Sequence, residues 1–312
     1  MALNERVMNT MIHNTIHVLL ALTLPPLLLG VIGKTKALFA GRVGPPLLQP
    51  YYDLIKLFQK GSVFGTTTTW MFRAGPVVGL ATSALTVLFI PLANGTAPIS
   101  FTGDLILLAY LLALGRFFTA AAALDTGSSF EGMGAAREVT FACLAEPALF
   151  LGLLVLAKLS GSLQLAGMLG SSLAAHWATS GAALALVLLS WFIVLLAENA
   201  RIPFDDPNTH LELTMIHEVM VLDHSGPAFG MILYGAALKL FLFAALVVRL
   251  ACPVATGSPW LDWPLFVVVI FAVAVVIGVV ESTMARLRLT HVPVLLVAAC
   301  LSSAFGVILL VR

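Results

Sequence analysis

Eight runs of apolar residues, each close to the ~20 residues that cross a bilayer as a helix, constrain this chain more than any other feature. They are read over residues 11–33, from Arg73 to near Pro91, and over 103–124, 137–158, 181–199, 228–248, 264–281 and 292–311. No charge lies between Arg73 and Asp104, and a long uncharged region follows Lys158. Backbone polar groups in hydrocarbon must be satisfied within the segment, so such runs fold as helices. The expected fold is all-α: a polytopic membrane protein of eight transmembrane helices with amphipathic helices in the cytoplasmic loops, forming one integral membrane domain over residues 1–312. Pro25 and Pro26 should kink the first span without ending it. The residues are 60% hydrophobic and mean hydropathy is +1.03, which excludes an ordinary soluble domain. A net charge of +1 argues against nucleic acid as a partner. Cys143, Cys252 and Cys300 lie far apart in apolar surroundings, so no disulfide framework, iron–sulfur cluster or structural zinc is expected in this chain. The first apolar run is long and no cleavage-site pattern follows it, so no signal peptide is expected.

Against that background residues 197–227, AENARIPFDDPNTHLELTMIHEVMVLDHSGP, stand out. Glu198, Arg201, Asp205, Asp206, Glu212, Glu218 and Asp223 fall there, with His210, His217 and His224. A polar segment that dense between membrane spans is a docking surface, the lining of a wet cavity, or a merely solvated connector. Asp206 followed by Pro207 reads as a helix N-cap and first turn. Leu211, Met215, Val219 and Leu222 then recur on one face, which predicts a short amphipathic helix ended by Ser225, Gly226 and Pro227. The three histidines match no zinc spacing, and cavity lining or interface hydrogen bonding is the better reading.

Residues 41–60 hold a second amphipathic pattern. Gln49, Asp53, Lys56 and Lys60 share one face, with Leu, Ile, Tyr and Phe between them, as in a helix lying along the membrane surface and touching lipid. Ten of the 16 lysines and arginines hold or border alternate connectors: Lys34, Lys36, Arg42, Lys56, Lys60, Arg73, Arg137, Arg201, Arg286 and Arg288. That bias places the long polar connectors in the cytoplasm and both termini on the opposite side.

The charges inside the spans carry the functional signal. Glu146 sits in the body of a span, where an ionised, unpaired carboxylate costs from roughly 2.5 kcal/mol upward. Pro147 follows it and should open the helix turn beside it. Glu138, Glu198 and Glu281 lie at the loop-side ends of their spans, and Arg116 and Lys239 are candidate counter-charges. A proton path through Glu138, Glu146, Glu198, Asp205, Glu212 and Glu281 is one reading; ion pairing that only holds the bundle together is the other. Arg42, Asp53, Lys56, Arg137, Arg201, Asp206, His210, His217, Glu218, Asp223, His224, Arg286 and Arg288 are the candidates for a docking face or cavity mouth. No GxGxxG, P-loop or serine elbow occurs, so no active site is expected from this chain alone.

Several of these stretches resemble one family. AENARIPFD, residues 197–205, is similar to the AExNRxPFD motif of NADH dehydrogenase subunit 1, the complex I membrane subunit that roofs the quinone chamber. GRVGP at 41–45, LLQPYYDLIKLF at 47–58, the separation of Arg137 from Glu146, and the Arg286 and Arg288 pair are similar too. LDTGSSFEGMGAAREV at 124–139 and ESTMARLRL at 281–289 look more like the homologous subunit of formate hydrogenlyase and related energy-converting (group 4) [NiFe] hydrogenases.

The resemblance implies a subunit of a prokaryotic inner membrane complex. Its cytoplasmic loops would contact a soluble arm, and its embedded acids would link a redox site to proton channels in antiporter-like membrane subunits. By matching residues, Glu146, Glu198, Arg201 and Asp205 would belong to that path or its mouth. The implied partners are hydrogenase-like large and small subunits, holding the [NiFe] and iron–sulfur clusters, or their complex I homologues. Eleven positions separate Glu212 from Asp223 where the family usually has eight, and His224 stands where tyrosine is usual. That departure puts the hydrogenase branch, which needs no quinone, ahead of a quinone-chamber subunit. A stand-alone ion transporter is the alternative of a different class.

Overall fold

The computed structural model describes residues 2–93, 96–205, 215–253, 256 and 258–311. The chain is a helical bundle whose helices are α1 (Ala2–Phe39), α2 (Gln49–Phe58), α3 (Trp70–Val87), α4 (Asp104–Asp125), α5 (Ser129–Ser160), α6 (Leu165–Met168), α7 (Leu173–Glu198), α8 (Gly226–Ala251), α9 (Pro259–Thr283) and α10 (Val292–Val311). Among the described residues, seven helices have the length and apolarity to cross a membrane: α1, α4, α5, α7, α8, α9 and α10. This is a multi-pass membrane protein. The expected span from Arg73 to near Pro91 is α3, only 18 residues long and interrupted by Arg73, Gly75, Pro76, Gly79, Thr82, Ser83 and Thr86. It sits in the bundle between α4 and α8 but falls short of that apolar standard.

Helix α8 is the centre. It packs against α1, α3, α7 and α9, with the α3–α4 pair on one flank and α5, α7 and α10 on the other. Its residues from Ala237 to Leu250 are nearly all buried, which fits a helix apolar on every side. Helix α1 runs through Pro25 and Pro26 unbroken. Pro26 has no N–H for the Leu22 carbonyl, and the Tyr234 hydroxyl donates to that oxygen at 2.8 Å. Tyr51 of α2 donates to the neighbouring Thr23 carbonyl. The Tyr234 bond thus replaces the helical donor that Pro26 cannot supply.

Several boundaries differ from expectation: α1 covers Ala2–Phe39 where the sequence reads a span over 11–33, and α9 starts at Pro259 rather than at 264. The connector read over residues 125–136 is mostly helix, because α5 starts at Ser129. Its glycines disfavour helix locally, but Gly134 lies flat under Val219, where a Cβ would sit 2.4 Å from the valine side chain. Glu131 is buried and accepts the Asp223 N–H at 3.0 Å. Tertiary packing therefore overrides propensity. Helix α7 starts eight residues early, at Leu173, and kinks at Ser180 (φ −129°, ψ 29°) just before Gly181, where the span was expected to begin. Helix α5 stays continuous through Pro147: the proline has no N–H for the Cys143 carbonyl, but the helix runs on unbroken beside Glu146. The first part of the amphipathic helix expected after Asp206, residues 206–214, lies outside the described residues; the described part, 215–225, holds a short 3-10 turn, Glu218–Val221, in place of a regular α-helix.

Candidate functional site

Arg116, in the middle of α4, is the hub of a polar cluster inside the bundle. Its Nη2 donates to both carboxylate oxygens of Glu198 at 2.7 Å, its Nε lies 3.4 Å from Glu138 Oε1, and its Nη1 donates to Glu146. Lys239 Nζ reaches Glu198 Oε2 at 2.7 Å from α8. His217 Nε2 lies 3.1 Å from Glu138 Oε2. Four helices therefore converge: α4 and α8 supply cations, α5 and α7 supply acids. Glu138 and Glu146, eight residues apart on α5, point to one side because two turns of helix separate them. A guanidinium suits this hub, since its planar fork of donors can serve several carboxylates at once.

Three carboxylates face two permanent cations here, so the group is locally short of one positive charge. The next group reverses the balance. Glu281, at the loop-side end of α9 with its side chain 0% exposed, is held by Lys36 at 2.9 Å and Arg201 at 3.3 Å. Beside it Arg286 pairs with Asp205 at 2.9 Å. Asp205 Oδ2 also accepts the N–H groups of Ile216 (2.9 Å) and His217 (3.3 Å). The five acids and five cations cancel in total, but not locally. A proton taken up near Arg116 would make that group neutral.

The turn after α7 arranges this. Ala200 takes a left-handed φ of 49°, unusual for alanine, and the Arg201 N–H returns to the Leu196 carbonyl at 2.9 Å. The chain thereby folds back under α7. Glu198 is left facing Arg116, and Arg201, three residues later, faces Glu281. A cavity of about 20 Å³ lies between the acids, lined by Glu138, Ala142, Ala145, Glu198, Phe204 and His217. That is room for about one water, in contact with two carboxylates and an imidazole. Glu146 differs from its neighbours: its side chain is 39% exposed against 6% for Glu198, so it opens sideways onto the bundle surface.

The remaining candidates divide by exposure. Arg42, Asp53, Lys56, Asp223 and Arg288 are exposed at the loop side, and Asp53 accepts a 2.8 Å hydrogen bond from Gln49 along α2. Arg137 turns inward and donates to the Met215 carbonyl at 2.9 Å; Glu218 is half-buried. His224 is buried edge-on against Phe72 with ring centroids 3.9 Å apart, and burial lowers its pKa to about 4. Beside it the Gly61 carbonyl approaches Gly226 so closely that a Cβ there would sit 2.4 Å away. Asp206, His210 and Glu212 lie outside the described residues. Lys36 was missed as a site residue. It reads as one of several connector cations, and only the length of α1, which carries it to the level of Glu281, marks it out.

The NADH dehydrogenase family matches residues 12–312. The chain belongs to that family. Among curated members it is 38% identical to hydrogenase-4 component C of Escherichia coli over 74% of this chain and 72% of that protein. It is 32% identical to formate hydrogenlyase subunit 4 of the same organism over 91% of this chain and 93% of that one. The fold is shared with a chain of the membrane-bound sulfane sulfur reductase, an archaeal respiratory membrane complex: TM-score 0.80, 23% identity, 96% of this chain and 99% of that one. The resemblance read from residues 197–205 and 41–58 is thus a family membership that runs through nearly the whole chain.

Proposed function

We propose that this chain is the membrane anchor and proton-coupling subunit of a complex-I-related energy-converting hydrogenase of the formate hydrogenlyase type. The observation that carries the reading is the Arg116 cluster. Glu138, Glu146 and Glu198 converge on one guanidinium beside a water-sized cavity, inside a bundle whose core is mainly apolar. Embedded acids in such a setting default to function. The 32% identity to formate hydrogenlyase subunit 4 over almost the full length supports the hydrogenase branch, and that branch needs no quinone.

In this reading a proton passes from the loop side, past Asp205 and His217, to the carboxylates around Arg116, and leaves sideways at Glu146 toward an antiporter-like membrane subunit. The [NiFe] and iron–sulfur clusters sit in hydrogenase-like large and small subunits docked on the loop face, where Arg42, Asp53, Lys56 and Arg288 are exposed. The loops face the cytoplasm, both termini face the periplasm, and the membrane is the prokaryotic inner one.

Two experiments test this. An affinity-tagged chain, extracted in mild detergent, should bring large and small hydrogenase-like chains with it. Arg201→Ala should weaken that retention, because it leaves Glu281 held by Lys36 alone and loosens the turn under the loop face; intact assembly with normal turnover would count against a docking role for Arg201. A single cysteine at position 53, in a background without the three native cysteines, should react with an impermeant reagent only from the cytoplasm, and one at position 158 only from the periplasm. The opposite pattern would overturn the orientation.

A further inference from the structure

At the end of the bundle away from the polar loops, a second set of buried polar groups surrounds the four-residue helix α6. Asp104, 0% exposed, accepts the Leu165 N–H at 2.8 Å, at the start of α6. Arg249, 3% exposed, donates from Nη2 and Nε to the Leu169 carbonyl at 2.6 and 3.2 Å, at its end. The third arm of Arg249 donates to the Ala93 carbonyl at 2.9 Å. Ala93 closes a non-helical stretch after α3 in which Phe89, Ile90 and Leu92 are buried. Irregular backbone at membrane depth is tolerated only where protein or water satisfies it. Here protein does: His17 donates to Val87 at 3.2 Å, Ile99 N–H to Leu88 at 3.2 Å, and Arg249 to Ala93.

The side chains so held make an apolar layer. Leu165, Met168 and Leu169 of the clamped turn are at most 1% exposed and pack in one core with Leu92 and Leu108. Arg116 follows Asp104 by twelve residues on α4, and Lys239 precedes Arg249 by ten on α8, which places the acid cluster roughly 15–18 Å below the clamp. Just beside the clamp a cavity of about 10 Å³, lined by Arg249, Cys252 and Asp262, is at the lower limit for a water.

We infer that Asp104 and Arg249 clamp α6 as a plug that seals the bundle against proton leak between the acid cluster and the far side of the membrane. The inference rests on the proton-coupling reading, but leak needs no turnover and is measured separately from it. The seal works through backbone carbonyls. With Arg249 in place, the Ala93 and Leu169 oxygens are occupied by a group that cannot give up its proton. Without it, those oxygens draw water into the layer.

The test uses the whole complex in sealed liposomes, with a pH-sensitive dye inside and a potassium diffusion potential imposed by valinomycin, without redox substrate. Arg249→Met should raise passive proton permeability about tenfold, as water replaces the lost donors, and Arg249→Lys, which still reaches one carbonyl, should leak less. Met168→Ala, which thins the plug without removing a charge, should also leak and decides the matter if Arg249→Met does not assemble. Ile32→Ala, a comparably buried change near the loop-side end of α1, away from the plug, should stay tight. Assembled Arg249→Met or Met168→Ala complexes as tight as the wild type would overturn the seal, as would equal leak from Ile32→Ala. A wild-type complex that is tight but does not pump during turnover would instead count against the proton-coupling reading and leave the leak comparison intact.

Discussion

Complexes carrying Arg116→Met are expected to be almost absent from the membrane fraction. The substitution keeps the length and apolar stem of the side chain but removes the cation shared by Glu138, Glu146 and Glu198. Lys239 remains, but it reaches only Glu198. Breaking a buried pair by deleting one partner typically costs about 3–5 kcal/mol, because the other charge stays buried and uncompensated. Here three acids lose their common partner, so accumulation should fall at least about tenfold, since 1.4 kcal/mol is already a factor of ten. Arg116→Lys should be partly tolerated: an ammonium restores the charge but not the fork that serves three carboxylates. Pairing Arg116→Met with Glu198→Gln should recover part of the yield, because it removes one of the stranded charges. Quantitative immunoblotting of membranes against a second subunit reads all three variants. Normal accumulation of Arg116→Met would show that the acids are not held by Arg116, and the electrostatic account of the cluster would fall.

The second large effect is on coupling rather than assembly. Glu146→Gln keeps size and hydrogen bonding but cannot titrate. Its side chain is 39% exposed and its position is the lateral opening of the cluster. Losing its charge therefore leaves Arg116 still paired with Glu138 and Glu198. The complex should assemble with normal metal content, lose proton translocation, and, if coupling is tight, lose redox turnover as well. Glu146→Asp should retain part of both. The measurement is protons moved per electron in sealed vesicles, with assembly followed in parallel. Full pumping by the glutamine variant would remove Glu146 from the path, and failure to assemble would assign it to structure. Together with Arg116→Met, this separates a group that holds the bundle from one that moves a proton through it.

Much of this protein was legible from local pattern. Apolar runs gave the membrane helices, and the last of them matches α10, 292–311, to the residue. The reason is physical: twenty uncharged residues in hydrocarbon have no alternative to a helix. The presence of acids and two bases within the spans was equally plain, since a charge in an apolar run cannot be hidden. Boundaries were less legible where glycine or small residues stood at them. The start of α5 at Ser129 depends on Gly134 lying under Val219, and the early start of α7 at Leu173 on a kink at Ser180 that a sequence pattern does not record. The second expected span, α3, can be short because His17 and Arg249, 70 and 156 positions from the carbonyls they serve, satisfy the backbone that follows it.

The pairing of charges belongs to the tertiary structure alone. Nothing local joins Arg116 to Glu198, Arg201 to Glu281 or Arg286 to Asp205, each pair about 80 residues apart. Lys36 and Arg249 read as ordinary flanking cations until the bundle brings one against Glu281 and the other against Ala93 and Leu169. The sequence by itself determined that this chain lives in a membrane, how most of it crosses, and which residues carry charge there. The packing of helices around α8 decided which of those charges meet, because in a low-dielectric interior a charge is stable only beside its partner, and the partner's distance along the chain has no bearing on its distance in space.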